Sequence, residues 1–167
     1  MGVRKQQPRL DGLLLGLVTA LVLAAAPQAK AQSGPFGPLA GSWSGGGEVN
    51  MSDGSVDRLR CKAIYSVGGG GTTATLNLRC ASDSYNFDLT GNVRSQGGTV
   101  SGTWTEATRG IGGTVSGTAA PNGISLQVIG PTFAAGLALS VNGNKQAISI
   151  SAPASEIRSA SISLTKS

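Results

Sequence analysis

The sequence predicts an all-β protein, an up-and-down antiparallel β-barrel of about eight to ten short strands carrying one disulfide. Three observations predict it. Beyond residue 31, apolar residues alternate with polar ones in short runs, and turn signals recur about every 8 to 12 residues. No stretch there follows the helical period. The two cysteines, Cys61 and Cys80, flank a four-glycine turn and can face each other across a hairpin.

The first 31 residues stand apart. Arg4, Lys5 and Arg9 form a basic start, Leu13 to Ala26 an apolar run, and Ala29-Lys30-Ala31 a small-residue cleavage site, the layout of a secretory signal peptide. Their removal after Ala31 leaves 136 residues, enough for one domain with a real core. It also leaves nine basic and seven acidic residues, so the net charge falls from +5 to +2 and the basic balance no longer argues for nucleic acid. Two cysteines in an exported chain most simply make one disulfide, which points to the periplasm or the extracellular space.

Residues Gln32–Leu39 (QSGPFGPL) predict an extended Pro/Gly arm, and residues 40–167 the barrel domain. In AGSWSGGGEVNM, Trp43, Gly45, Gly47, Val49 and Met51 share one face, and glycines at alternate strand positions allow bending. Folding Arg58–Ala81 about the midpoint of Gly70 and Gly71 sets Cys61 opposite Cys80, Ala63 opposite Leu78, Tyr65 opposite Leu76 and Val67 opposite Ala74. All these pairs are apolar, and a one-residue slip would invert both faces. Next come a strand with Tyr85, Phe87 and Leu89 in phase and another with Val100, Gly102 and Trp104 in phase. The heptapeptide GGTVSGT, at 97–103 and 112–118, reads as two similar strands and is too closely spaced for a solenoid unit. Further strands carry Ile124, Leu126 and Val128, then Ala135, Leu137 and Leu139, then Ala147 to Ser151 after the Asn142-Gly143-Asn144 turn, and finally Ala160, Ile162 and Leu164. Closure into a barrel leaves no aggregation-prone edge. Ser, Thr and charged residues on the outward phase argue against a lipid-facing barrel.

The runs GSWSGGGEVNMSDGSVDRLRCKAIYSV, LNLRCASDSYNFDL and SGTWTEATRGIGGTVSG resemble a group of small exported proteins of α-proteobacteria, through their Arg-Cys and Gly-Thr-Trp-Thr-Glu motifs. The resemblance implies export. More loosely, the early Gly-Ser-Trp strand and hairpin meander look like the calycin group, lipocalins and avidins included, which implies a ligand-holding barrel. Leu39-Ala40-Gly41-Ser42-Trp43 and the single disulfide are also similar to periplasmic metalloprotease inhibitors, whose N-terminal arm enters the protease cleft.

Catalysis finds few groups to work with. There is no histidine, so a Ser-His-Asp triad, a Cys-His pair and most zinc sites are unavailable, and paired cysteines leave no thiol. No enzyme activity, metal or cofactor is expected. The expected ligand-lining set is Trp43, Tyr65, Tyr85, Phe87 and Trp104, with Glu106 and Arg158 at the barrel mouths by their phase. Glu106 either orients a polar ligand group or pairs with Arg109, and the aromatics also serve as packing. Arg58, Arg60, Lys62 and Arg79 form an outward basic stripe in which Lys62 lies opposite Arg79, an arrangement suited to an anionic surface or to a solvated face with Asp57 and Asp83 as partners. The leading expectation is an exported, non-catalytic protein that holds a small apolar or amphipathic ligand in its barrel. The alternatives are a protein-binding module such as a protease inhibitor, or an envelope protein without a pocket.

Overall fold

In a computed structural model of the chain, the stapled hairpin forms in the register that the alternation dictates. β2 (Val56–Gly68) and β3 (Thr73–Ala81) pair antiparallel with Cys61 opposite Cys80, Ala63 opposite Leu78, Tyr65 opposite Leu76 and Val67 opposite Ala74. The Cys61–Cys80 disulfide joins the two strands on their inner face. The structure describes residues 1–2, 34–83, 85–120 and 123–167, so the signal-peptide reading of residues 1–31 falls almost wholly outside it, as do Gln32 and Ser33 of the arm.

The described residues form ten strands, each antiparallel to its neighbours in sequence, and β1 closes the circle against β10. The remaining strands are β1 (Gly41–Met51), β4 (Asn86–Gln96), β5 (Thr99–Glu106), β6 (Ile111–Ala120), β7 (Gly123–Ile129), β8 (Ala134–Asn142), β9 (Lys145–Ser151) and β10 (Ile157–Lys166). This is an up-and-down barrel with no free edge. Its curvature rests on glycines at strand corners. A Cβ on Gly47 would lie 2.0 Å from the Ser161 carbonyl oxygen, and one on Gly102 would lie 2.1 Å from that of Asn92. Only a residue without a side chain lets neighbouring strands cross so closely.

Residues 34–39 depart from the expected extended arm. The Gly34 N–H donates to Gly70 O (2.7 Å) and the Phe36 N–H to Gly71 O (3.0 Å), so this segment docks on the β2–β3 turn. A single 3-10 turn over Gly37–Leu39 follows, and Phe36 and Leu39 are 1% and 3% exposed. The Trp43 indole N–H donates to Leu39 O at 2.7 Å and fixes the turn against β1. The physical reason is apolar burial. Phe36 and Leu39 gain more by covering one end of the barrel than by extending into water, by about 1.5–3 kcal/mol for each side chain. The four-glycine turn supplies the room: Gly71 has φ +93, and a Cβ there would meet Gly34 N at 2.5 Å.

The plug continues into a packed core. Phe36, Leu39, Trp43, Ala63, Tyr65, Val100, Ile148 and Leu164 belong to one buried cluster. Leu76, Leu78, Leu126, Leu137 and Leu139 occupy the same inward phase, pack against this cluster and are half-buried. At the other end lie the β1–β2, β3–β4, β5–β6, β7–β8 and β9–β10 connections.

Candidate functional site

Of the aromatics expected to line a ligand, the structure splits one group from another. Trp43 and Tyr65 lie in the core at the plugged end. Trp104 belongs to the opposite end, where its indole N–H reaches Ile129 O at 3.1 Å and its ring meets Phe133 with centroids 5.6 Å apart. The indole lies across the sheet because its β6 partner is Gly113, which presents no side chain. Phe87 sits opposite Cys80 and is half-buried. Tyr85 precedes β4, and its ring lies 4.1 Å beneath the Arg109 guanidinium carbon. Burial raises the Tyr85 hydroxyl pKa, against the pull of the Arg109 charge.

Glu106 is inward and 1% exposed, as its phase with Trp104 requires. Its carboxylate is fully engaged by the chain around it. Oε1 accepts the N–H groups of Asp88 (3.1 Å) and Thr108 (3.0 Å), and Oε2 accepts the Arg109 N–H (2.8 Å). Arg109 Nη1 adds an ion pair at 3.3 Å. Burial pushes the carboxyl pKa up, but the donors from Asp88, Thr108 and Arg109 outweigh it and hold the value at about 2. Glu106 is therefore a clasp that ties the β5–β6 turn to β4, with no capacity left for a ligand. Of the two readings of this residue, the pairing with Arg109 is the one observed.

Arg158 is not at an inward mouth. The β1–β10 register shifts so that Asn50 faces Ser159 while Met51 faces Ile157, which makes Arg158 the extra residue of a bulge. The bulge breaks the phase that Ala160 and Ile162 set. Arg158 is exposed, and its Nη1 donates to Pro153 O at 2.6 Å.

The basic stripe is exposed throughout, and Lys62 does face Arg79. Three of its members have acidic partners: Arg58 with Glu48 (3.7 Å), Arg60 with Asp83 (3.8 Å) and Arg79 with Asp88 (3.0 Å). Asp57, expected near the stripe, instead accepts a hydrogen bond from Ser82. An open hollow of about 610 Å³ is lined by Arg60, Lys62, Arg79 and Asp88 of the outward phase together with Cys61, Cys80 and Phe87 of the inward phase.

One interior group escaped the sequence reading. Gln146, second residue of β9, is 2% exposed, and its Nε2 donates to the Tyr65 hydroxyl at 2.9 Å. The bond links β9 to β2, which are separated around the barrel by β10 and β1. Among the described residues Gln146 Oε1 has no partner. The alternation Gln146, Ile148, Ile150 carried the signal, since it sets an amide in the inward phase.

No family model and no curated protein matches the chain. Among solved structures it is similar to the crystal structure of Rv2717c from M. tuberculosis, with a TM-score of 0.63 and 17% identity, over 78% of this chain and 94% of that one. That likeness shows a shared barrel fold. Among the described residues no three His, Cys, Asp or Glu side chains group to hold a metal, and no helix is long and apolar enough to cross a membrane.

Proposed function

We propose that the protein is an exported, non-catalytic binding protein that holds a small apolar or amphipathic ligand within its barrel. The observation that carries this reading is a closed barrel whose apolar inner wall is not fully buried. One end is plugged by Phe36 and Leu39, and the inward leucines Leu76, Leu78, Leu126, Leu137 and Leu139 pack against that cluster while remaining only half-buried. A closed barrel with an apolar inner wall is the kind of scaffold in which a carrier holds a ligand. Export, to the periplasm or beyond, is supported by the disulfide and by the leader-like composition of residues 1–31. The protease-inhibitor alternative loses its main support, because Phe36 and Leu39 are buried in the protein's own core.

The test is a titration with N-phenyl-1-naphthylamine, a neutral apolar fluorophore. Saturable binding at one site per chain, with a blue shift and energy transfer from tryptophan, is expected. Fluorescence that never saturates, or no enhancement, would overturn the reading.

A further inference from the structure

We infer that Tyr65 and Gln146 form a recognition site for the hydroxyl head of an otherwise apolar ligand; this rests on the barrel-binding reading above. The argument begins with hydrogen-bond capacity. A glutamine amide offers two donors and a carbonyl acceptor, and a phenol offers a donor as well as an acceptor. In the pair, Gln146 Nε2 donates to the Tyr65 oxygen at 2.9 Å. That leaves Gln146 Oε1 without a donor, at a residue 2% exposed. Turning the amide over only exchanges the orphan, so one buried polar atom stays unpaired in either orientation.

Such a group is costly to keep in an apolar interior. Its strand neighbours are Leu164 on β10 and Val141 on β8, and Tyr65 lies opposite Leu76. None of them can satisfy the amide. The inward carboxylates Asp57 and Glu106 lie near the opposite strand ends, and Lys166 is exposed with its Nζ 5.4 Å from the Trp43 ring centroid. In the observed orientation the missing partner is thus a neutral group that donates to Gln146 Oε1 and can accept from the Tyr65 hydroxyl. With the amide turned over it is a group that accepts from the amide nitrogen.

An alcohol has this valence: its proton goes to Gln146 Oε1 and its oxygen accepts from Tyr65. A lone water would find only these two partners, at the low end of what buried waters make. A hydroxyl carried on an alkyl chain uses the same two bonds and lays its chain against the half-buried leucines. A carboxylate brings a charge into an apolar site, and in the observed amide orientation it also lacks the proton that Gln146 Oε1 requires.

The experiment measures displacement of N-phenyl-1-naphthylamine by dodecan-1-ol, dodecane and dodecanoate, at pH 8, in the wild type, Tyr65→Phe, Gln146→Leu and the double variant. Both substitutions keep volume, and urea unfolding of each variant without ligand provides a folding control. Dodecan-1-ol is expected to bind the wild type about tenfold more tightly than either single variant, with dodecane unchanged across all four proteins and dodecanoate weaker than the alcohol. The double variant without ligand is expected to be at least as stable as the wild type, because both buried polar groups are gone. Gln146→Leu alone leaves the buried Tyr65 hydroxyl without its partner and is expected to be less stable than the double variant. Equal affinity for the alcohol in all four proteins, with the fluorophore still bound, overturns the hydroxyl site and leaves the carrier reading intact. Dodecanoate binding as tightly as the alcohol overturns it as well. Failure of every protein to bind the fluorophore removes the carrier reading and this site with it.

Discussion

Glu106→Gln is the substitution whose outcome the geometry defines best. The new amide keeps a carbonyl where Oε1 accepts from Asp88 and Thr108, but it sets an NH2 against the Arg109 N–H and guanidinium that Oε2 now accepts. Two contributions are lost. The first is the charge: a carboxyl held at about 2 instead of its ordinary 4.5 corresponds to about 3 kcal/mol at neutral pH, which solvent at the barrel rim screens to about 1–2 kcal/mol. The second is the Arg109 hydrogen bond, about 1 kcal/mol. Urea unfolding at pH 7 should then show a loss of about 2–3 kcal/mol. The sign with pH is also set. Because the folded value lies below the unfolded one, the carboxylate's contribution is complete above pH 4.5 and is lost as pH falls through about 2. The gap between wild type and variant should narrow over that window. A gap under about 0.5 kcal/mol at pH 7, or one of equal size at pH 7 and pH 2, refutes the clasp.

Other outcomes follow from the same geometry. Phe36→Ala removes a buried ring from the plug and should cost about 3–5 kcal/mol in chemical denaturation. Gly47→Ala sets a methyl against the Ser161 carbonyl and should cost about 1–3 kcal/mol or more, whereas Ala at Gly54, where nothing lies within 4 Å but φ is +88, should cost about 1 kcal/mol. Replacing Cys61 and Cys80 together by alanine opens a link across 19 residues and should lower stability by about 3 kcal/mol, a loss that reductant should reproduce in the wild type. Burial pushes the Tyr65 hydroxyl up to about 12, so its contribution holds below pH 10 and is lost as pH rises toward 12; Tyr65→Phe should flatten that alkaline limb. Lys62→Glu turns a like-charge pair with Arg79 into an opposite-charge one and should stabilise by about 0.2–1 kcal/mol; loss of retention on anionic vesicles in the same variant would reveal a docking role for the stripe.

The hairpin was legible because strand period and turn composition overdetermine it: the register that aligns Cys61 with Cys80 also aligns three more apolar pairs. Barrel closure was legible only as a class, since the β1–β10 pairing joins strands at opposite ends of the chain. The plug was missed because a Pro/Gly-rich stretch carries no period, and only tertiary burial decides where Phe36 and Leu39 go. Arg158 was misplaced because alternation cannot foresee a bulge that inserts one residue opposite Asn50 and Met51. Glu106 was placed on the correct face, but its saturation depends on the backbone of Asp88 on a neighbouring strand, which no local pattern records. Gln146 lies one residue before the strand that the alternation predicts from Ala147, and its bond to Tyr65 spans a sequence separation of 81 residues and two intervening strands.

The most direct test of the central claim is native mass spectrometry of the protein purified without reductant from a host that exports it. A carrier predicts a discrete mass excess, lost on denaturation, over a polypeptide two protons lighter than its reduced form. A bare polypeptide at native mass, together with no uptake of the naphthylamine fluorophore, would contradict the claim and leave a barrel that serves by its surface.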